Sequence, residues 1–169
     1  PRADGIATAS ERTVPPDFNV PRETPTWEAI ATLATTLLDP LVDHFGPLTL
    51  TYGFASQALT RHIPARIAPS LDQHAGSELN RRGNLICKRR GQACDFTING
   101  PDGTPIDSAV IARHIAKNLP FDRLYLYGPR RPLHLSAGPD QSRSIVEMTA
   151  GPSGRLIPRA FSAAAWLSR

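Results

Sequence analysis

At 169 residues the chain can bury one core, and its 40% apolar content with 17 prolines describes a loop-rich globular domain. No stretch approaches the ~20 consecutive apolar residues of a membrane span, and two cysteines, Cys87 and Cys94, are too few for a disulfide framework and match no zinc-finger spacing. The net charge of +4 is modest but unevenly spread, with Arg81, Arg82, Lys88, Arg89 and Arg90 close together and no acid between Glu78 and Asp95. The cysteines read as a reduced pair or an occasional bridge, with Cys94 an alternative soft metal ligand. No charged-then-apolar signal segment opens the chain. Its start at Pro1 reads as a processed piece of a larger protein, with a cytoplasmic location slightly favoured.

Residues 1–23 carry four prolines and no apolar period, and are expected to form a flexible leader. The domain is expected over 24–150. Thr24-Pro25 predicts a helix start, and Ile30, Leu33, Leu37 and Leu38 recur at helical spacing. Asp39-Pro40 re-caps or kinks that helix, which continues through Phe45 until Gly46-Pro47 stops it. Leu48–Tyr52 alternates with period two, as a half-buried strand does. A short helix from Ser56 to Ile63 follows, with Arg61 and His62 on its surface.

Residues 76–92 read as an inserted loop that projects from the sheet, with a turn at Arg82-Gly83-Asn84. A strand over Ala93–Ile98 ends in the reversal Asn99–Gly103. Asp107 caps a helix carrying Val110, Ile111 and Ile115, with His114 read as a core residue, and Leu119-Pro120 ends it. Strands at about 122–127, 132–136 and 143–148 complete the prediction. The fold class is α+β: a mostly antiparallel sheet with helices packed on one face. Residues 151–169 are expected to be a tail or a short helix.

The candidate chemistry lies in His74, Asp95 and His134. Two imidazoles and a carboxylate suit zinc and leave a position open for water or substrate. Asp95 heads the apolar run Phe96-Thr97-Ile98, and His134 alternates with Leu133 and Leu135, so both fall on strands able to face one another.

Asp72-Gln73-His74, Gly91-x-Ala93-x-Asp95 and the strand Leu133-His134 together resemble a split form of the pattern Ser-x-His-x-x-Gly-x-Ala-x-Asp followed by Trp-x-His. That pattern marks the D-alanyl-D-alanine carboxypeptidases and endolysins of the Hedgehog-type zinc fold. The lead-in helix from Trp27 to Phe45 and the strand Gly46–Ser56 are similar as well, so the likeness spans about residues 26–137. It implies a Hedgehog/DD-peptidase-like fold, bound Zn2+ on His74, Asp95 and His134, and cleavage of an amide in a peptide or peptidoglycan-like substrate. The chain departs from the pattern in three places. Twenty residues separate His74 from Asp95, where the family has six. Ala55 stands where an Arg reads the substrate carboxylate, and the general-base Glu before the last His is missing. Glu78 is the first substitute for that base and Tyr127 the second; Tyr125 and Tyr127 are candidate oxyanion donors.

A second reading makes the domain a zinc-stabilised module that binds an anionic polymer, such as nucleic acid. Arg81, Arg82, Lys88, Arg89, Arg90, Arg130 and Arg131 would form its basic rim around the metal. In a third, the metal only ties strands together. No membrane partner is expected.

Overall fold

Leu, Ile and Phe at alternate positions along the central strands give the sheet one oily face, and that face decides where the helices pack. The computed structural model describes residues 16–63, 67–151 and 154–169. Among these residues six strands, β1 (Leu48–Tyr52), β2 (Gln92–Ile98), β3 (Arg123–Leu126), β4 (Leu133–Ala137), β5 (Ser144–Ala150) and β6 (Leu156–Ser162), lie in the order β1-β2-β4-β3-β5-β6. Neighbours are antiparallel except β3 and β5, because the chain leaves β4 and passes to the far side of β3. The class is therefore the expected α+β, with a mostly antiparallel sheet.

Cys94, Phe96 and Ile98 of β2, Leu124 and Leu126 of β3, and Leu133 and Leu135 of β4 enter one core with the helices. Leu33, Leu37 and Leu41 reach it from a long helical rod made of α1 (Thr24–Leu33), a π-helical stretch (Ala34–Leu38) and α2 (Asp39–Phe45). The π stretch explains how the rod passes Pro40 without breaking. The proline has no N–H to donate, and the widened turn before it, where Asp39 N donates to the Ala34 carbonyl, relieves the usual ring clash. Helix α4 (Ser108–Asn118) adds Ile111 and Ile115, and its cap is Asp107, whose side chain accepts from Ala109 N. Helix α5 (Ala163–Leu167) contributes Trp166. No helix among the described residues is long and apolar enough to cross a membrane.

Five expectations change. The leader is docked from Pro16 onward, where a 3-10 turn (Pro16–Asn19) precedes a clamp by Asn19. The Asn19 side chain donates to the Phe54 carbonyl and accepts from Ser56 N, and Ser56 Oγ donates to the Phe18 carbonyl. Residues 1–15 lie outside the described residues. The C-terminal segment is not merely a tail or helix: β6 pairs with β5 along its whole length before α5 begins. The helix over 56–63 shortens to α3 (Gln57–Thr60), capped by Ser56. His114 is half-buried and stacks on the exposed His44 with ring centroids 3.9 Å apart, at the margin of the core rather than in it.

The segment expected to project as a loop is instead tied down. Leu79 and Leu85 form a β-bridge, Ile86 N donates to the Glu78 carbonyl, and Lys88 N donates to the Ser70 carbonyl. Cys87 is fully buried, although the tip at Arg81–Leu85 and single side chains such as Leu79, Lys88 and Arg90 are exposed. Anchoring follows from the two buried side chains, Glu78 and Cys87, that flank the tip.

Candidate metal centre

Because β-strand side chains alternate, the residues between the core positions face the other side of the sheet. Asp95 lies opposite His134 in the β2–β4 ladder, and His134 lies opposite Tyr125 in the β3–β4 ladder, so the three stand in a row. This is the face away from the long helices, and His134 is nevertheless only 6% exposed. The chain between β1 and β2 passes over it and delivers His74 from a 3-10 turn, Gln73–Ala75. Asp72 caps that turn by accepting from His74 N at 3.1 Å. The Ala55 N–H donates to the His74 carbonyl, tying the turn to the segment after β1.

The donor atoms of His74, Asp95 and His134 all lie within 4.8 Å of one another. His134 Nδ1 is 2.8 Å from Asp95 Oδ1, and His74 Nε2 is 3.3 Å from the same oxygen. The second approach is off hydrogen-bond alignment, so His74 Nε2 is buried without a hydrogen-bond partner. On the other side of the ring, Nδ1 is 2.8 Å from Asp72 Oδ1. In the neutral ring, a proton on Nδ1 shared with that carboxylate leaves the Nε2 lone pair facing Asp95 and His134.

Electrostatics favours positive charge at this point. Burial opposes protonation of His74, but Asp72 and Asp95 outweigh it and carry its pKa up to about 9. For His134 burial dominates and, with the neighbouring His74, lowers the pKa despite Asp95. Burial also opposes the Asp95 charge, yet the hydrogen bond with His134 and the nearby His74 imidazole prevail and hold its carboxyl below the usual range. The donor set fits a divalent ion: a tetrahedral metal ~2.0–2.1 Å from each donor sets its ligands roughly 3.3 Å apart. A buried nitrogen with an unclaimed lone pair, backed by a carboxylate, is how a ligating histidine is usually held.

Comparison with family models, curated proteins and solved structures finds no match. The site is thus characterised by its own geometry.

Two of the three tyrosines meet these residues, and Tyr127 is exposed. Tyr52 meets the His74 ring edge to face at 4.6 Å, and Tyr125 meets His134 at 5.1 Å. Burial raises the Tyr127 pKa, and the negative charge of Asp95 raises it further. Sequence reasoning missed Tyr52, since strict alternation places it on the core side with Leu48 and Leu50. A β-bulge intervenes: Leu50 pairs with Phe96 and Tyr52 with Asp95, leaving Thr51 as the extra residue that turns Tyr52 to the opposite face.

Glu78 is not part of this group. Its Oε1 accepts from Arg22 N, Glu23 N and Thr26 Oγ1, at the entrance to α1. The carboxylate expected to act as a base therefore fastens a helix N-terminus, where a negative charge is favoured. Sequence proximity to His74 suggested the wrong role, because the chain turns at Gly76, whose φ is +59°.

The basic residues do not gather into one rim. Arg89 is half-buried and lies beside the site, its Nη1 3.0 Å from the Leu71 carbonyl and 3.4 Å from Tyr125 Oη. Arg81 lines a separate cavity of about 470 Å³ with Arg22 and Arg61, and Arg82 is exposed at the same hairpin tip. Lys88 and Arg90 are exposed, as are Arg130 and Arg131 in the turn between β3 and β4. Both cysteines are buried and free, and burial pushes the Cys94 thiol up to about 12. Cys94 points into the core, on the side of β2 opposite Asp95.

Proposed function

We propose that the chain is a zinc metallohydrolase module, a divergent relative of the Hedgehog-type DD-peptidases, that cleaves an amide in a peptide or peptidoglycan-like substrate. The observation that carries this reading is the convergence of His74 Nε2, Asp95 and His134 from three separate segments, with Asp72 behind His74. His74, Asp95 and His134 would hold the metal. When bound, zinc polarises a carbonyl and lowers the pKa of a coordinated water toward ~7.

The protein's own residues supply orientation and hydrogen bonds to a developing oxyanion. Asp72 orients His74. Tyr127 remains protonated at neutral pH, since burial and Asp95 raise its pKa, and so serves as a hydrogen-bond donor to a developing oxyanion rather than as a base. Tyr125, beside His134 and within reach of Arg89, is placed for the same task. The anionic-polymer reading draws less support, because Arg89 alone among the proposed rim has a side-chain hydrogen bond to a residue that borders the site.

The test measures zinc content and hydrolysis of D-alanyl-D-alanine and of a longer N-acylated peptide. Wild-type chain is expected to carry one zinc and release product, and His134→Ala to lose both. Zinc without hydrolysis would remove the enzyme assignment and leave the metal site; no zinc would remove both.

A further inference from the structure

We infer that Gln73, gripped between Asp122 and Ser136, is the positioning residue that holds His74 in register with Asp95 and His134; the inference rests on the metal reading above. His74 is the ligand that no strand delivers. Within its 3-10 turn, Gln73 immediately precedes it, is 1% exposed, and sends its side chain down to the sheet. Gln73 Nε2 donates to Asp122 Oδ2 and to the Arg90 carbonyl, both at 2.9 Å, and Gln73 Oε1 accepts from Ser136 Oγ at 2.9 Å.

Each partner fixes a different part of the site. Ser136 lies two residues beyond His134 on the same face of β4, and in the ladder it faces Ala93, two residues before Asp95. The Arg90 carbonyl belongs to the turn that feeds β2. Asp122 leads into β3, where its Oδ1 accepts from Ser142 N and Ser142 Oγ, and its own N–H donates to the Ser136 carbonyl. One amide therefore ties the His74 turn to the strands carrying the other two ligands. Both amide hydrogens and the oxygen are engaged, so Gln73 has one orientation and leaves little freedom to the next residue.

Replacing Gln73 by Leu keeps bulk and removes the bridge; Ser136→Ala removes one of its bonds and guards against a variant that fails to fold. Trp166→Phe on α5, which loses the bond from Trp166 Nε1 to Glu147 of β5, is the stability control. Zinc affinity is read by competition with a chromophoric chelator, and geometry by the visible d–d spectrum of the cobalt(II) form. Gln73→Leu is expected to weaken zinc by about 10–100-fold, as loss of an outer-shell partner typically does, and to alter the cobalt spectrum. Ser136→Ala is expected to fall between it and wild type, and Trp166→Phe to bind as wild type. A folded Gln73→Leu chain with wild-type affinity and spectrum overturns the inference. If wild-type chain takes up neither ion, the metal reading fails separately. The His74 ring signals of 15N-histidine-labelled, metal-free chain then decide: broadened or shifted in Gln73→Leu they support the positioning role, and unchanged they overturn it.

Discussion

Glu78 shows how a single carboxylate can be misassigned when only its neighbours in sequence are visible. Three donors, Arg22 N, Glu23 N and Thr26 Oγ1, converge on one of its oxygens. Glu78→Ala strands them, at roughly 1–3 kcal/mol for a buried group left unsatisfied. The expected result is a lower denaturation midpoint with unchanged zinc uptake; a chain of normal stability that loses hydrolysis would return Glu78 to the chemistry. Tyr127→Phe is the opposite case. It removes one phenol at little cost to stability, and kcat should fall by about 10²–10³-fold, as for loss of an oxyanion donor. The three residues of the candidate site were legible in the sequence, because residue types able to bind a metal are few. Gln73 and Asp122 were not, because a hydrogen bond between residues 49 apart leaves no local pattern.

Among the elements, those with a strong local signature match their predictions closely. Asp107 caps α4 as read, and the apolar period from Ile30 to Leu41 marks the long rod. β6 escaped because its residues are mostly exposed and Pro158 argues against a strand; at a sheet edge neither objection holds. The docked part of the leader escaped because Asn19 works through side-chain hydrogen bonds rather than apolar repetition. The junction into β2 is the least forgiving local geometry. Gly91 has φ +74°, and a Cβ there would stand 2.0 Å from the Ala137 carbonyl oxygen. Gly91→Ala is therefore expected to cost at least about 1–3 kcal/mol in backbone strain alone, with the clash against β4 added. Chemical denaturation measures the loss, and a cost within experimental error would mean that β2 and β4 can separate freely.

For the molecule as a whole, Asp122 links stability to acidity. Burial opposes its charge, but the hydrogen bonds from Ser142 and Gln73 prevail, with Arg123 nearby, and its pKa lies below the ordinary 3.8. The unfolded chain then takes up the proton first as pH falls. The contribution of Asp122 is complete above the unfolded value and is lost below about pH 4 as pH falls through the folded one. Asp122→Asn should flatten that part of the stability–pH curve, measured by denaturation at stepped pH; an unchanged acid limb would show that other carboxylates govern it. The α+β class was readable from alternating and helical periods. The order of the strands was not, since the parallel contact of β3 with β5 joins segments that carry no mark of their pairing.

The spare residue in β1 has a consequence for changes in chain length. Substituting Thr51 alters an edge position, whereas deleting it restores strict alternation between Leu48 and Tyr52. Tyr52 would then follow Leu50 directly and would still stand opposite Asp95, on the His74 side of the sheet. The ring beside the first imidazole is set by its partner in the ladder, so a homologue one residue shorter in β1 keeps the same neighbour there.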